Sequence, residues 1–454
     1  MRSGKLCIVS GLVGAAMAAG AAMAADLPKS TQDMIKALKL DGKLVEGINE
    51  EVNAIPASIV EAAKKEGELV ISGSIDNDEF RKMSEPFRTR YPFISIRYNS
   101  ADQFARNVRP LIAYREGRVL ADIIEGLGVN LSQYKKAGAL QKLDDIPTFK
   151  KVPAEMRDDE GFFVGPRIRY WCMTYNTNKV KESELPKTWD DLLAAKHLHN
   201  GRIGMANRPN NFMIMLWGAK GPEWSNDFMT KLFNVVKPQL RKEGANAMVA
   251  LVSAGEMDIS FPTAAYRTAQ YAAKGAPVSW HCPEPVPISS SAMVIMNKSP
   301  HANAAKLYIN WFLSKEGQIA QHFSDGSPPV HMELQDERFL AYPKQILGRK
   351  GAIRTPKLLE EEMPKVAKIW EAHWLGAQGL KIATVKAKID KVERRGAQIV
   401  FKAGNDTHTV GLSNSRSKIT VKGKKAKRSD IKTGMNCTII YPGNKQEAKA
   451  LTCE

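Results

Sequence analysis

The sequence predicts an α/β protein in two lobes joined by a hinge, followed by a small all-β, barrel-like domain. Three observations carry that prediction. From residue 68 to about residue 300, short apolar runs alternate with amphipathic helical stretches, the rhythm of a mainly parallel sheet. A Pro-rich crossing, Cys282-Pro283-Glu284-Pro285-Val286-Pro287, then leads into an apolar run at 289–296 that reads as a return to the first set of strands. Beyond residue 380 the period changes to strict alternation interrupted by Gly396, Gly404, Gly423, Gly434 and Gly443.

The elements follow in order. Residues 25–67 read as a helical leader, apolar at Met34, Ile35, Leu38 and Leu40, with a last helix ending at Gly67. A strand over 69–74, a helix over 78–91, a strand over 94–98, a helix over 101–117 and a strand over 121–126 build the first lobe. In such sheets ligands gather beyond the carboxyl ends of the strands, which here are small or polar: Ser72, Ser74, Asp76, and Glu125 to Gly128. The second lobe opens with a long strand over 167–175 that carries Arg169 and Tyr170. A strand over 202–206, a turn Arg208-Pro209-Asn210-Asn211 before a helix, a strand over 257–261 and a helix opened by Pro262-Thr263-Ala264-Ala265-Tyr266 follow. The last alternating strands are placed at 381–390, 398–403, 407–412, 417–421 and 437–441, five or six in all. The expected domains are 1–24, a signal peptide; 25–67, the leader; 68–375, the two-lobed body; and 381–454, the basic β domain. Within the body, lobe 1 covers 68–166 and 288–335, lobe 2 covers 167–282, and 336–375 are C-terminal helices.

Composition excludes several classes. With 43% hydrophobic and 25% charged residues the chain is globular and not largely disordered, and its 33 Gly show no collagen period. The formal charge of +18 invites a nucleic-acid reading, but its location argues otherwise. Residues 381–454 hold 17 Lys/Arg and 6 Asp/Glu, a net of +11, while the 355 residues 26–380 net only +5. No GxSxG elbow, HExxH pair or P-loop is present, so no enzyme is expected. His197-Leu198-His199 lacks partner ligands, and Asp190-Asp191 and Glu360-Glu361-Glu362 read as solvated helix faces.

The N-terminus is basic at Arg2 and Lys5, then apolar to Ala25, with a small-x-small site before Asp26, the pattern of a secretory signal peptide cut after Ala24. Export permits disulfides among Cys172, Cys282, Cys437 and Cys453. Cys437 and Cys453 fall opposite each other in a hairpin centred near Lys445, close enough to bridge. Cys172 and Cys282 either pair or stay as buried thiols.

Several segments occur together in one order: 69–74, Gly117-Arg118-Val119-Leu120-Ala121-Asp122-Ile123, Thr188-Trp189-Asp190-Asp191-Leu192, Gly255-Glu256-Met257-Asp258-Ile259, Lys274-Gly275-Ala276-Pro277-Val278 and Ser314-Lys315-Glu316-Gly317-Gln318. In that combination the chain resembles the extracellular solute-binding proteins of bacterial ABC importers, in the two-lobed class that includes ferric-iron-binding proteins. The resemblance implies a type II periplasmic-binding fold and a monomeric periplasmic receptor. It would close on a small-molecule solute and deliver it to ABC permease membrane subunits. The ferric members use a tyrosine pair after the strand ending at Phe261; here Tyr266 matches the second tyrosine and Ala265 replaces the first. The histidine or acid expected after the first strand is also replaced, by Ser74-Ile75-Asp76-Asn77, which disfavours tight Fe³⁺ binding.

The residues expected to bind ligand are Ser72, Ser74, Asp76, Glu125, Arg169, Asn210, Asn211, Thr263, Tyr266 and Arg267. Asn210 and Asn211 are placed at a helix start, where free N–H groups attract anions. Arginines that can bind a carboxylate bidentately make an anionic or carboxylated organic solute the sharpest expectation. A guanidinium on such a strand can equally hold a protein carboxylate such as Glu125 or Glu284. No cofactor or metal is expected, and Trp171, Trp217 and Trp280 read first as core. Two alternatives stand beside this reading: a ferric-iron or iron-chelate receptor, and an interaction protein whose 381–454 domain binds a polyanion or protein partner. Nucleic acid is not expected, because the run Lys422-Gly423-Lys424-Lys425-Ala426-Lys427-Arg428 has no interleaved aromatics.

Overall fold

A computed structural model describes residues 27–454 except 102, 129 and 415; the expected signal peptide lies outside the described residues. The chain divides into two compact units, one of residues up to Tyr170 with Ser289–Gly348, the other of Trp171–Ile288 with Arg349–Glu454.

The first unit is built on a five-stranded sheet of β1 (Glu68–Gly73), β2 (Ser95–Ser100), β3 (Ile123–Leu127), β4 (Leu140–Gln141) and, from the returning segment, β11 (Ala292–Met296), in the order β2-β1-β3-β11-β4. The pairs β1–β2 and β1–β3 are parallel, and β11 runs antiparallel to β3 and β4. The helices expected over 78–91 and 101–117 are each broken in two, as Asn77–Met83 with Glu85–Arg90 and Gln103–Asn107 with Arg109–Arg115. Pro86 and Pro110 explain both breaks: each sits in the first turn of the second helix, where proline's missing N–H costs nothing.

The segment read as a leader is part of this unit. Its helices Lys29–Ala37, Ile48–Asn53 and Ala57–Glu66 bury Met34, Ile48, Val52 and Ala63. Thr31 Oγ1 donates to Glu316 Oε1 (2.6 Å), and Asn310 Nδ2 donates to the Val52 carbonyl (3.1 Å). Each fully buried aliphatic side chain contributes roughly 1.5–3 kcal/mol.

The second unit holds a seven-stranded sheet of β5 (Arg169–Asn176), β6 (Ile203–Ala206), β7 (Gln239–Arg241), β8 (Ile259–Ala264), β9 (Val278–His281), β10 (Val286–Ser289) and β12 (Gly351–Arg354). Its order is β12-β10-β5-β8-β6-β7, with β9 also on β5. The stretch expected as C-terminal helices over 336–375 differs in its first half. It begins with single turns at Glu337–Phe339 and Pro343–Gln345 and contributes β12 to this sheet; only Pro356–Glu361 and Met363–Gly376 are α-helices. Cys172 and Cys282 form a disulfide.

The C-terminal part of this unit carries seven strands, more than the five or six expected: β13 (Ala383–Glu393), β14 (Gln398–Ala403), β15 (Asp406–Gly411), β16 (Lys418–Val421), β17 (Lys424–Lys425), β18 (Asn436–Tyr441) and β19 (Ala450–Cys453). The two-residue β17 was too short to alternate visibly. Long β13 pairs with β14 through one half and with β18 through the other. A parallel bridge between Gly411 and Glu447 brings the end of β15 beside the segment that leads into β19. The sheet order is β15-β14-β13-β18-β19-β16-β17, and the single Gly411–Glu447 bridge links β15 to the segment just before β19, so the strands form a small, partly open barrel with the strand order of the OB type, to which the β16–β17 hairpin is added on β19. Its core gathers Ile389, Ile399, Phe401, Val410, Ile439, Tyr441 and Leu451. Cys437 and Cys453 face each other across β18 and β19 and are disulfide-bonded.

Candidate functional site

The carboxyl ends of β1 and β3 meet the returning segment in a small recess of the first unit, lined by Ser74, Glu125, Gly126, Arg167, Arg169 and Ser289 to Ser291. At its base Arg167, 6% exposed, pairs with two carboxylates that are buried as well, Glu125 (2%) and Asp325 (3%). Arg167 Nη1 lies 3.1 Å from Asp325 Oδ2, and Nη2 donates to Ser74 Oγ at 3.0 Å and also to Glu125. Sequence reasoning foresaw a guanidinium on Glu125 but left Arg167 out of the site; Arg169, two residues on and so on the same side of the chain, lines the recess.

A second guanidinium closes the back of the site. Arg106 donates to the Ala101 carbonyl (2.5 Å) and approaches the carbonyls of Gly126 (3.4 Å) and Gly73 (3.5 Å). Gly126 is required there: its φ is +86°, and a Cβ would stand 3.1 Å from Arg106 Nε and 3.2 Å from Ser74 Oγ. Burial pulls the Arg106 guanidinium below its ordinary value, with Glu125 and Tyr98 opposing. Tyr98 stacks on Phe80 at 3.7 Å, and its hydroxyl both donates to the Ile75 carbonyl and accepts from the Ile75 N–H, each at 2.9 Å. Burial and, next, Glu125 raise that phenol's pKa, so it stays a neutral donor.

Three guanidinium groups therefore meet two carboxylates around hydroxyl-bearing walls, an arrangement that favours an oxyanion. The recess encloses about 20 Å³, room for a water or one oxygen-bearing end of a solute, and not for a whole organic molecule. A larger cavity of the same unit, about 140 Å³, is lined by Tyr170, Pro328, Phe339, Leu340 and Leu347 among others and suits an apolar group.

The remaining expected residues fall into distinct environments. Ser72 is buried within β1, and Asp76 is exposed at the start of helix Asn77–Met83. Asn210 and Asn211 do not start an α-helix. They form a single 3₁₀ turn with Pro209, and the helix begins at Met213 after Phe212, so the expected row of free N–H groups is absent at these two residues. The Asn210 carbonyl accepts from Arg354 Nη1 at 2.9 Å. Thr263 lies in β8 and not at a helix start. Its side chain is fully buried, donating to the Cys172 carbonyl (3.1 Å) and accepting from Thr174 (2.7 Å), so it serves the core. Tyr266 and Arg267 stand half-buried in the first turn of helix Ala265–Ala272, where Arg267 Nη1 reaches Gln270 Oε1 at 2.7 Å. Trp171, Trp217 and Trp280 are all buried. Arg106, Arg167, Asp325 and the Ser289 to Ser291 run were missed; the triple serine on the returning segment was the one local signal.

Among the described residues, one group has metal-binding spacing: Glu51, His331 and Glu333, with candidate ligand atoms within 4.8 Å of one another. Lys151 and Lys315 already place Nζ 2.6 and 2.8 Å from the Glu333 carboxylate, and His331 Nε2 lies 3.2 Å from Glu51. The cationic positions around these acids are taken by side chains, which makes this a structural network.

A two-unit α/β chain with an anion-suited recess at the carboxyl ends of parallel strands is the form of a solute receptor. The chain belongs to the bacterial extracellular solute-binding protein family, which it matches over residues 75–319. Solved structures of similar fold include iron-bound HitA from Pseudomonas aeruginosa (TM-score 0.55, 21% identity), over 67% of this chain and 99% of that one. They also include the substrate-binding protein of an ABC transporter from Agrobacterium tumefaciens (TM-score 0.57, 18% identity), over 68% of this chain and 95% of that one. A third is Trichodesmium IdiA (FutA) in complex with iron and citrate (TM-score 0.56, 18% identity), over 68% of this chain and 99% of that one. No curated protein matches the sequence. Members of this family are transport receptors that hand small solutes to permease components. Among the described residues no helix is long and apolar enough to cross a membrane.

Proposed function

We propose that this protein is a periplasmic, monomeric receptor of an ABC importer that captures a small anionic or carboxylated organic solute by lobe closure. The observation that carries the reading is the excess of guanidinium over carboxylate in the first unit's recess, with Ser74 and Ser289 to Ser291 as neutral donors. Arg167 is held by two acids, and Arg169 and Arg106 add two further guanidinium groups beside them. An oxyanion end seated there gains charge-assisted hydrogen bonds worth about 1.5–3 kcal/mol each, and micromolar capture needs about 8 kcal/mol in all.

The test is a thermal-shift and calorimetric screen of the purified chain against succinate, citrate, phosphate, methylphosphonate, polyamines and ferric citrate. An organic or phosphorus oxyanion is expected to raise the melting temperature, and Arg169→Ala is expected to weaken its binding at least tenfold. Stabilisation by ferric ion with no response to the free anions would overturn this reading in favour of an iron receptor. That second reading is supported by the iron in two fold neighbours and opposed here by Ala265 beside Tyr266.

A further inference from the structure

The β16–β17 hairpin widens the barrel's sheet and completes a row that crosses five strands. Register places Lys386 opposite Thr438, Thr438 opposite Thr452, Thr452 opposite Thr420 and Thr420 opposite Lys425, all on the outward face. Thr420 and Thr452 join their hydroxyls at 3.0 Å. At about 4.8 Å per strand the two terminal lysines stand roughly 19 Å apart, with short hydroxyl side chains between them. Lys388 extends one flank along β13, and Lys418 with the turn residue Lys422 extends the other, while Lys424, opposite Val421, lies on the other face of β17 from Lys425; the five lysines of the row and its flanks are exposed, and none forms an ion pair among the described residues. Asp390 and Glu454 mark one rim. The opposite edge is apolar: Ile382, 49% exposed, continues the outward alternation of β13, and half-exposed Ile440 faces Thr384.

We infer that this face docks on an anionic phospholipid surface. Complementarity of charge requires an anionic partner, and the side chains select among anionic partners. All five cations are lysines, mobile point charges on long stems, with no arginine fork on the row to read a fixed phosphate geometry. The face carries no aromatic ring on which a base could stack. Lysines ringing hydroxyls, with two branched aliphatic side chains at one edge, match a headgroup layer that meets charge at its surface and apolar groups just below. The part of an OB barrel that commonly receives oligonucleotides, the β14–β15 face, is different here. Its outward residues Val400, Thr409, Lys402 and Thr407 adjoin the Lys391–Glu393 ion pair. A receptor that serves a membrane permease would be concentrated at the bilayer by such a face. The inference concerns this face alone and stands whatever solute the receptor carries.

The test is flotation of the purified chain with vesicles of phosphatidylcholine alone and of phosphatidylcholine with 30% phosphatidylglycerol, at low and high salt. Binding is expected to the anionic vesicles only and to vanish as salt screens the surface. The variant Lys386→Glu/Lys418→Glu/Lys425→Glu is expected to lose at least tenfold in partitioning. The charge-matched variant Lys64→Glu/Lys82→Glu/Lys150→Glu, exposed sites of the first unit, is expected to keep at least half. Equal losses in the two variants, or binding of heparin or duplex DNA without binding of anionic vesicles, would overturn the inference. A failed solute screen leaves this flotation result unaffected, so the two readings fail separately.

Discussion

In the first unit, Arg167 lies almost wholly out of solvent between Glu125 and Asp325, whereas Lys386, Lys418 and Lys425 of the barrel stand in solvent with no ion pair among the described residues. The two regions hold positive charge under opposite rules. A buried guanidinium must be compensated in place, so its neighbours become acids and the unit's net charge stays low while its local field is strong. Exposed lysines need no compensation, so they accumulate, and most of the chain's +18 lies in the barrel. Total charge therefore reflects the barrel's exposed lysines and says little about the recess.

Removing the buried cation is the harshest way to break this contrast. Arg167→Ala leaves Glu125 and Asp325 buried with their cation gone, and the expected loss is about 3–5 kcal/mol in urea denaturation. A loss below about 1 kcal/mol would mean that the triad is open to water. Next in size is the barrel's own clamp. Cys437 and Cys453 are separated by 16 residues, and closing a loop of that length contributes about 3 kcal/mol. Cys437→Ser/Cys453→Ser should lower the barrel's unfolding free energy by about that amount. Intact tryptophan fluorescence, which reports on the body because the barrel has no tryptophan, would show the two parts melting apart.

The uneven legibility of the sequence has the same physical root. Strand Gln398–Ala403 was readable to the residue because one face of a barrel strand is wet and the period of two shows. β8 is buried along its whole length, so Thr263 looked like a ligand residue although its hydroxyl is committed inside the core. Pro86 and Pro110 were visible but were absorbed into helices they in fact divide. The recess was half legible: Ser74, Glu125 and Arg169 came from strand ends, which topology makes predictable. Arg167–Asp325 and Arg167–Glu125 close over 158 and 42 residues, distances at which no local pattern operates. Motif residues also divided by role. Asp122 caps the Val70 N–H (2.6 Å) and binds Ser299, and Glu316 holds Arg90, Thr31 and Trp311, so these motif positions serve the scaffold.

Between the two extremes stands Glu333, whose carboxylate is half exposed yet held by Lys151 and Lys315. Their hydrogen bonds lower its pKa from 4.5 to about 2. A carboxylate depressed on folding contributes stability above its unfolded pKa and loses it as pH falls through the folded value. This contribution should therefore fade between about pH 4.5 and pH 2. Solvent screening at such an exposed pair limits it to about 1 kcal/mol or less. Comparing acid unfolding of Glu333→Gln with the parent should show a smaller pH slope in that window; identical slopes would assign the acid sensitivity to other groups.

The smallest expected effect is the most diagnostic. Lys386→Gln/Lys418→Gln/Lys425→Gln removes three charges that touch no acid, and the stability change should stay within about 0.5 kcal/mol. Its sign should be stabilising at low ionic strength and vanish in salt, because the lysines repel one another across the threonine row and salt screens that repulsion. If neutralising them destabilised the barrel by more than 1 kcal/mol, they would be structural, and the face would have a reason to exist without a partner. If stability holds while anionic vesicles release the protein, the charge was kept for something outside the fold. That outcome would complete the contrast with Arg167, whose removal costs the fold itself.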